Sequence, residues 1–165
     1  MDFYTTSTWE LETLANQEPT LNLIFGGVRA ADQLPDHPVP SAPRGYIVNT
    51  DSHDQPGQHW IALWTQNDGC QIMDSYALPL ETYQSKHLIQ WINKHWSVME
   101  RNNQSLQAIN SATCGHYALK FLVERSQGRG FRQFLDQFKL HDYVYNDTLV
   151  ARWLQKKMLR NVINQ

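Results

Sequence analysis

The stretch from His59 to Tyr76, HWIALWTQNDGCQIMDSY, limits the fold more than any other part of this sequence. His59, Ile61 and Leu63 alternate with Trp60, Ala62 and Trp64, which is the two-residue period of a β-strand. Asn67-Asp68-Gly69 follows as a turn signal, and CQIMDSY reads as the returning strand. Residues 59–76 therefore predict a hairpin that carries a histidine at its entrance and Asp74 near its exit. A further strand is expected at YIVNT, Tyr46–Thr50.

Helical patterns surround these strands. Thr8–Leu14 reads as a short helix capped by Ser7 or Thr8. A longer helix is expected from Leu80 to about Trp96, given the spacing of Leu88, Ile89, Trp91 and Ile92. Between them FGGVRAADQLPDHPVPSAPRG (Phe25–Gly45) is rich in Gly and Pro and reads as extended loop. QSLQAI (Gln104–Ile109) is expected as a strand, followed by a helix from Cys114. A last helix, Asp147–Ile163, carries Leu149, Val150, Trp153 and Leu154 on one side. Its Lys156, Lys157 and Arg160 form a solvated face open to a phosphate contact. Repeats and low-complexity tracts are absent from the sequence. The order of elements implies an α+β fold in a single domain over residues 1–165.

Composition narrows the function class. Hydrophobic residues make up 41% and charged residues 18%, an ordinary globular balance. A net charge of -2 and a pI near 6.4 give no general pull towards nucleic acid. Two cysteines, Cys70 and Cys114, make no disulfide framework and fit a reducing compartment. The start MDFYTTSTWELETL lacks the cationic and apolar runs of a signal peptide, and no run approaches the roughly 20 apolar residues of a membrane span. The two N-glycosylation sequons, at Asn103 and Asn146, read as chance. A soluble intracellular domain is expected.

The chemistry concentrates in QAINSATCGHYAL, Gln107–Leu119. Tyr117, Ala118, Phe121 and Leu122 fall at helical spacing, with Lys120, Glu124 and Arg125 off that face. Asn110, Ser111 and Thr113 are the residue types that cap a helix start. A free cysteine usually packs as a small hydrophobe. Cys114 instead falls in a first helical turn, where unpaired N–H groups and the positive end of the dipole favour thiolate. Gly115 leaves room for an incoming substrate backbone. That placement suits a nucleophile.

A thiol nucleophile needs a base and a group to orient that base. His59, held at a strand end, is the first candidate, with Asp74 on the returning strand as its carboxylate. The rival pair is His53 with Asp54, borne on a loop. His116 points away from Cys114, because successive helix residues face different directions. His37, His87, His95 and His141 read as surface residues. No Cys or His pair carries zinc-ligand spacing, so no metal is expected. For the oxyanion, the Cys114 N–H and the amide of Gln107 are the candidate donors.

Taken together, IVNT…GQHWIALW…CQIMDSY…QAINSATCGHYAL resembles the adenovirus-type maturation proteases, the adenain family of cysteine peptidases. Their papain-like-related fold is shared with the SUMO and ubiquitin-like-protein proteases and sets the nucleophile at a helix N-terminus beside a central mixed sheet. The resemblance runs from about Phe25 to Leu122. It implies His59 with Trp60 as the base pair, Asp74 as its orienting acid, Gln107 as oxyanion donor, and Asn110 through Gly115 as the nucleophile motif. Trp60, Asn110 and Gly115 are then expected to border the substrate, with Trp60 roofing a cleft that admits glycine. Asp stands at position 74 where mammalian adenoviral enzymes usually carry Glu, and either can orient an imidazole.

The implied function is an endopeptidase that cuts viral capsid and core precursor proteins at Gly-containing sites, acting as a monomer in the virion and host nucleus with no membrane partner. No cofactor is required chemically. Relatives in that family are stimulated by DNA and by a capsid-derived peptide. The charge of -2 makes DNA binding weak, and the lack of a cysteine between Asp74 and Gln107 makes any peptide activator non-covalent. The alternatives are a protease acting on a ubiquitin-like modifier and an acetyltransferase on the same fold.

Overall fold

The computed structural model describes residues 5–164. The hairpin forms as β3 (Trp60–Gln66) against antiparallel β4 (Gly69–Met73), with Asn67 taking a φ of 56° at the turn. Both faces of β3 are apolar, and both are covered. Ile61 and Leu63 pack with Val48, Ile72, Leu88 and Ile92, while Ala62 and Trp64 pack with Ile47, Met73, Tyr117 and Phe121. A strand buried on both sides belongs in the middle of a sheet, and the order is β1-β2-β3-β4-β5. Here β1 is Phe25–Ala30, β2 Arg44–Asn49 and β5 Val98–Arg101. The β1–β2 and β4–β5 pairs are parallel, and the inner pairs antiparallel. The architecture is α+β around this mixed sheet.

Helices α1 (Thr8–Gln17), α3 (Cys114–Ser126), α4 (Phe131–Leu135) and α5 (Tyr143–Ile163) cover one face, and α2 (Lys86–His95) covers the other. Ser7 and Glu10 form a reciprocal capping box at the start of α1. Among the described residues, no helix is long and apolar enough to cross a membrane.

Five local expectations are corrected. Phe25–Ala30 is strand and not loop. Its glycines serve the pairing, since the register shifts between Phe25 and Gly27 where Gly27 adopts a φ of 104°, and a Cβ on Gly26 would meet the Tyr46 ring at 2.1 Å. Gln104–Ile109 is irregular, and the fifth strand lies earlier, at Val98–Arg101. The helix expected from Leu80 is a 3₁₀ turn (Leu80–Tyr83) that stops at Gln84, in the left-handed region at φ 55°, before α2 begins. The last helix starts at Tyr143, four residues early, with the Asp142 side chain accepting from the Tyr145 N–H. Finally, the side of α3 off its apolar face is covered as well over the middle turns, because α4 and α5 pack there. Lys120 and Glu124 are buried there as an ion pair at 2.5 Å, joined by Gln137.

Candidate active site

The two strands of the hairpin set the first half of the site. His59 lies one residue before β3, where its carbonyl accepts from the Thr50 N–H at 2.9 Å. Asp74 lies one residue after β4. Ala62 pairs with Met73, so residue 74 returns alongside the start of β3, and His59 Nε2 meets Asp74 Oδ1 at 2.7 Å. Both side chains are buried, with Asp74 fully so. Three further donors fill the Asp74 carboxylate: the Tyr83 hydroxyl at 2.7 Å, the Tyr76 N–H at 2.9 Å and the Leu78 N–H at 3.2 Å. A carboxylate so satisfied stays ionised despite burial. Burial alone would raise the Asp74 pKa, but the His59 hydrogen bond and charge and these donors hold it below the usual value.

The imidazole is held from its faces as well as its edge. Tyr76 and Tyr83 stack on it with ring centroids 4.7 Å and 5.2 Å away. Asn102 fixes the Asp74 backbone from below, donating to its carbonyl at 2.6 Å and accepting from its N–H at 3.0 Å. With Nε2 committed to Asp74, Nδ1 remains for a hydrogen bond to Cys114. Burial opposes protonation of His59, yet its bonds to Asp74 and Cys114 and their charges raise its pKa to about 9.

Cys114 is the first residue of α3 and is half-buried. Burial would raise its thiol pKa. The hydrogen bond and charge of His59, followed by backbone N–H groups of Trp60 and Gly115, outweigh this and lower it. The two displacements have opposite sign and match a thiolate–imidazolium pair. Cys70 is the contrast. It is buried among apolar side chains with nothing to stabilise its anion, and its pKa is pushed up to about 12.

Thr113 occupies the N-cap position of α3, but its hydroxyl makes no cap bond. It donates instead to Asp147 at 3.0 Å and pairs with Ser111 at 2.9 Å. The expected capping role is thus replaced, and the first-turn N–H groups keep no side-chain partner from Thr113. Gly115 is buried beneath Thr6 and Trp60. A Cβ there would fall 1.9 Å from the Thr6 hydroxyl and 3.3 Å from Trp60 Cδ1, so its lack of a side chain is fixed by packing.

Gln107 does not swing. It is buried, with Oε1 accepting from Ser75 Oγ at 2.6 Å and Nε2 donating to the Ser111 carbonyl at 2.9 Å. Asp74 and Ser75, adjacent on the chain, therefore hold His59 and Gln107 respectively. Asn110 lies exposed in the turn between Gln107 and Cys114. Trp60 is half-buried against Gly115 and borders an open cavity of about 350 Å³ that also touches Thr8, Arg29, Asn49, Asp51 and Gly57.

The rival pair is not formed. His53 is exposed and bonds to Asp32, while Asp54 accepts from Ser52 Oγ at 2.5 Å. His37, His87 and His141 are exposed, and His95 is half-buried 5.6 Å from the Trp91 ring. His116 is buried, and burial lowers its pKa to about 4, which makes it no proton acceptor near neutrality. Among the described residues, no group of three or more His, Cys, Asp or Glu side chains is arranged to hold a metal ion.

Sequence reasoning missed Tyr76, Tyr83, Asn102 and Asp147. Tyr76 and Tyr83 were legible only as aromatics near the hairpin exit, and Asn102 gave no signal. Asp147 did give one: with Val150 and Leu154 it lies at i, i+3 and i+7, a carboxyl on the core stripe of its helix.

Among solved structures, the chain is similar to two crystal structures of ASFV pS273R protease. With the selenomethionine form it shares 19% identity at a TM-score of 0.38, over 67% of this chain and 43% of that one. With the second it shares 13% identity at a TM-score of 0.45, over 87% of this chain and 68% of that one. This chain thus spans less than half the length of the first. No family model and no curated protein matches the sequence.

Proposed function

We propose that the protein is a cysteine endopeptidase of the adenain and SUMO-protease type. The observation that carries this reading is the series of buried Asp74, buried His59 and half-buried Cys114, in which the histidine pKa is raised and the thiol pKa lowered. In this mechanism the Cys114 thiolate attacks a peptide carbonyl carbon. Negative charge develops on the carbonyl oxygen, and the donors for it are the Cys114 N–H at the helix start and the second N–H of the Gln107 amide. Collapse expels the amine, which takes its proton from His59. A water molecule then gives a proton to His59 and attacks the thioester, releasing the carboxylic acid and restoring the ion pair. Asp74 keeps the imidazole oriented and stabilises its charged form throughout.

The substrate class comes from the motif resemblance and from Trp60. An indole beside the nucleophile favours residues without side chains next to the scissile bond. Viral capsid and core precursors cut at Gly-containing sites are the proposed substrates, and a non-covalent peptide or DNA activator is compatible with the sequence. The test is hydrolysis of glycine-rich peptides by purified protein, with and without DNA, beside Cys114→Ala. Cleavage in the wild type and none in the variant is expected. Equal cleavage in both, or transfer from acetyl-CoA to Cys114 with no peptide hydrolysis, overturns the reading.

A further inference from the structure

The carboxyl of Asp147, in the first turns of α5, is buried to 1% exposure. Its Oδ1 accepts from the Thr113 hydroxyl at 3.0 Å and the Tyr117 hydroxyl at 2.8 Å, and its Oδ2 lies 3.3 Å from the Ala108 N–H. Ala108 follows Gln107, and Thr113 precedes Cys114. One side chain therefore ties both ends of the seven-peptide segment that links the two oxyanion donors. The neighbouring Asn146 extends the clasp, donating to the carbonyls of Leu106 at 3.1 Å and Lys139 at 2.9 Å.

The segment's other ties run from Gln107 to Ser75 and Ser111 and from the Tyr76 hydroxyl to the Ile109 and Ser111 carbonyls. Residues 107–113 are irregular, with Ile109 and Asn110 exposed, and helix ends and loops lack a ladder of their own. We propose that Asp147 is a positioning residue for the oxyanion site, fixing the Gln107 amide and the Cys114 N–H relative to each other. This rests on the protease reading above. The chemistry fits. Asp147 accepts from three donors, which a carboxylate does on both oxygens. An asparagine amide keeps the Ala108 N–H only by turning its NH2 to the Thr113 and Tyr117 hydroxyls, which must then reverse to accept. It also loses the charge that strengthens all three bonds. Asp147 makes no bond to His59 or Asp74, so the acid–base half is left alone.

The test compares Asp147→Asn, Thr113→Val and Thr113→Ser with the wild type, at a temperature where melting curves show each folded. Thr113→Val removes the hydroxyl at constant shape, and Thr113→Ser restores it. Asp147→Asn and Thr113→Val should lower kcat by roughly tenfold or more with KM within about twofold, because misplaced donors act on the transition state. Thr113→Ser should keep most of the activity. The pH profile of Cys114 alkylation should not move in any of them. Amide hydrogen exchange at Ala108 should quicken in Asp147→Asn, and that readout needs no substrate. An inactive wild type would sink the protease reading and leave the exchange result standing. Unchanged Ala108 exchange, a kcat within twofold of wild type, or an alkylation profile that moves with kcat overturns the role of Asp147.

Discussion

The two halves of the site are built by different means. The His59–Asp74 half stands on a hairpin, between residues 15 apart in sequence, with ladder hydrogen bonds setting the register and tyrosines packing the imidazole in place. The Gln107–Cys114 half stands on irregular chain ahead of a helix. Its partners come from far along the sequence: Ser75 is 32 residues from Gln107, and Asp147 is 34 from Thr113. Tyr76 joins the halves, stacking on His59 while its hydroxyl donates to the carbonyls of Ile109 at 3.3 Å and Ser111 at 3.4 Å. A base must present one nitrogen along one direction, and strand ends do that cheaply. An oxyanion site must align a backbone N–H with a side-chain amide from earlier in the chain, so it needs side chains that clamp loop to core.

Perturbing each half should therefore leave different marks. The largest effect is expected from Asp74→Asn. The amide cannot accept from all four donors or stabilise the imidazolium, so kcat/KM should fall by on the order of 10³-fold. Steady-state kinetics with a glycine-rich peptide check this, and alkylation of Cys114 should slow in the same variant. Gln107→Ala comes next. It removes one oxyanion donor, with an expected loss on the order of 10²-fold in kcat. Here alkylation of Cys114 should stay near wild type, since the reagent forms no oxyanion. If both variants slow alkylation equally, the two halves are not separable as described.

The smallest expected effect concerns stability. His116, on the first turn of α3, has its pKa lowered to about 4 by burial, below the usual 6.5. As pH falls below about 6.5 the unfolded chain takes up this proton first, so stability is lost progressively down to about 4. The difference corresponds to at most about 3 kcal/mol. Thermal melts from pH 7 to pH 4 should show a shallower decline for His116→Gln than for wild type.

What the sequence disclosed follows the same division. Alternation and the Asn-Asp-Gly turn sufficed to bring Asp74 back towards His59, because both signals are local. Cys114 at a helix start was legible from the polar run before it and the apolar spacing after it. Beyond those signals lay everything that depends on long-range packing. The Phe25–Ala30 strand has two glycines whose use is visible only once Tyr46 lies beside them. Lys120 and Glu124 read only as lying off the apolar face of their helix, and their burial shows once α4 and α5 cover them. Asp147 read as the start of the last helix and Asn146 as a chance sequon, and only the fold turns them towards the Gln107–Cys114 segment.

The central claim is that Cys114 and His59 form a thiolate–imidazolium pair. The direct measurement is the rate of iodoacetamide alkylation at Cys114 against pH, followed by mass spectrometry, in wild type and His59→Ala. Wild type should react well below the usual thiol pKa of about 8.5, and His59→Ala should react only as pH rises towards or past it. Cys70 should stay unlabelled in both, because burial pushes its pKa up to about 12. A wild-type Cys114 that titrates like an ordinary thiol, or a profile that His59→Ala leaves unchanged, would contradict the ion pair and the mechanism built on it.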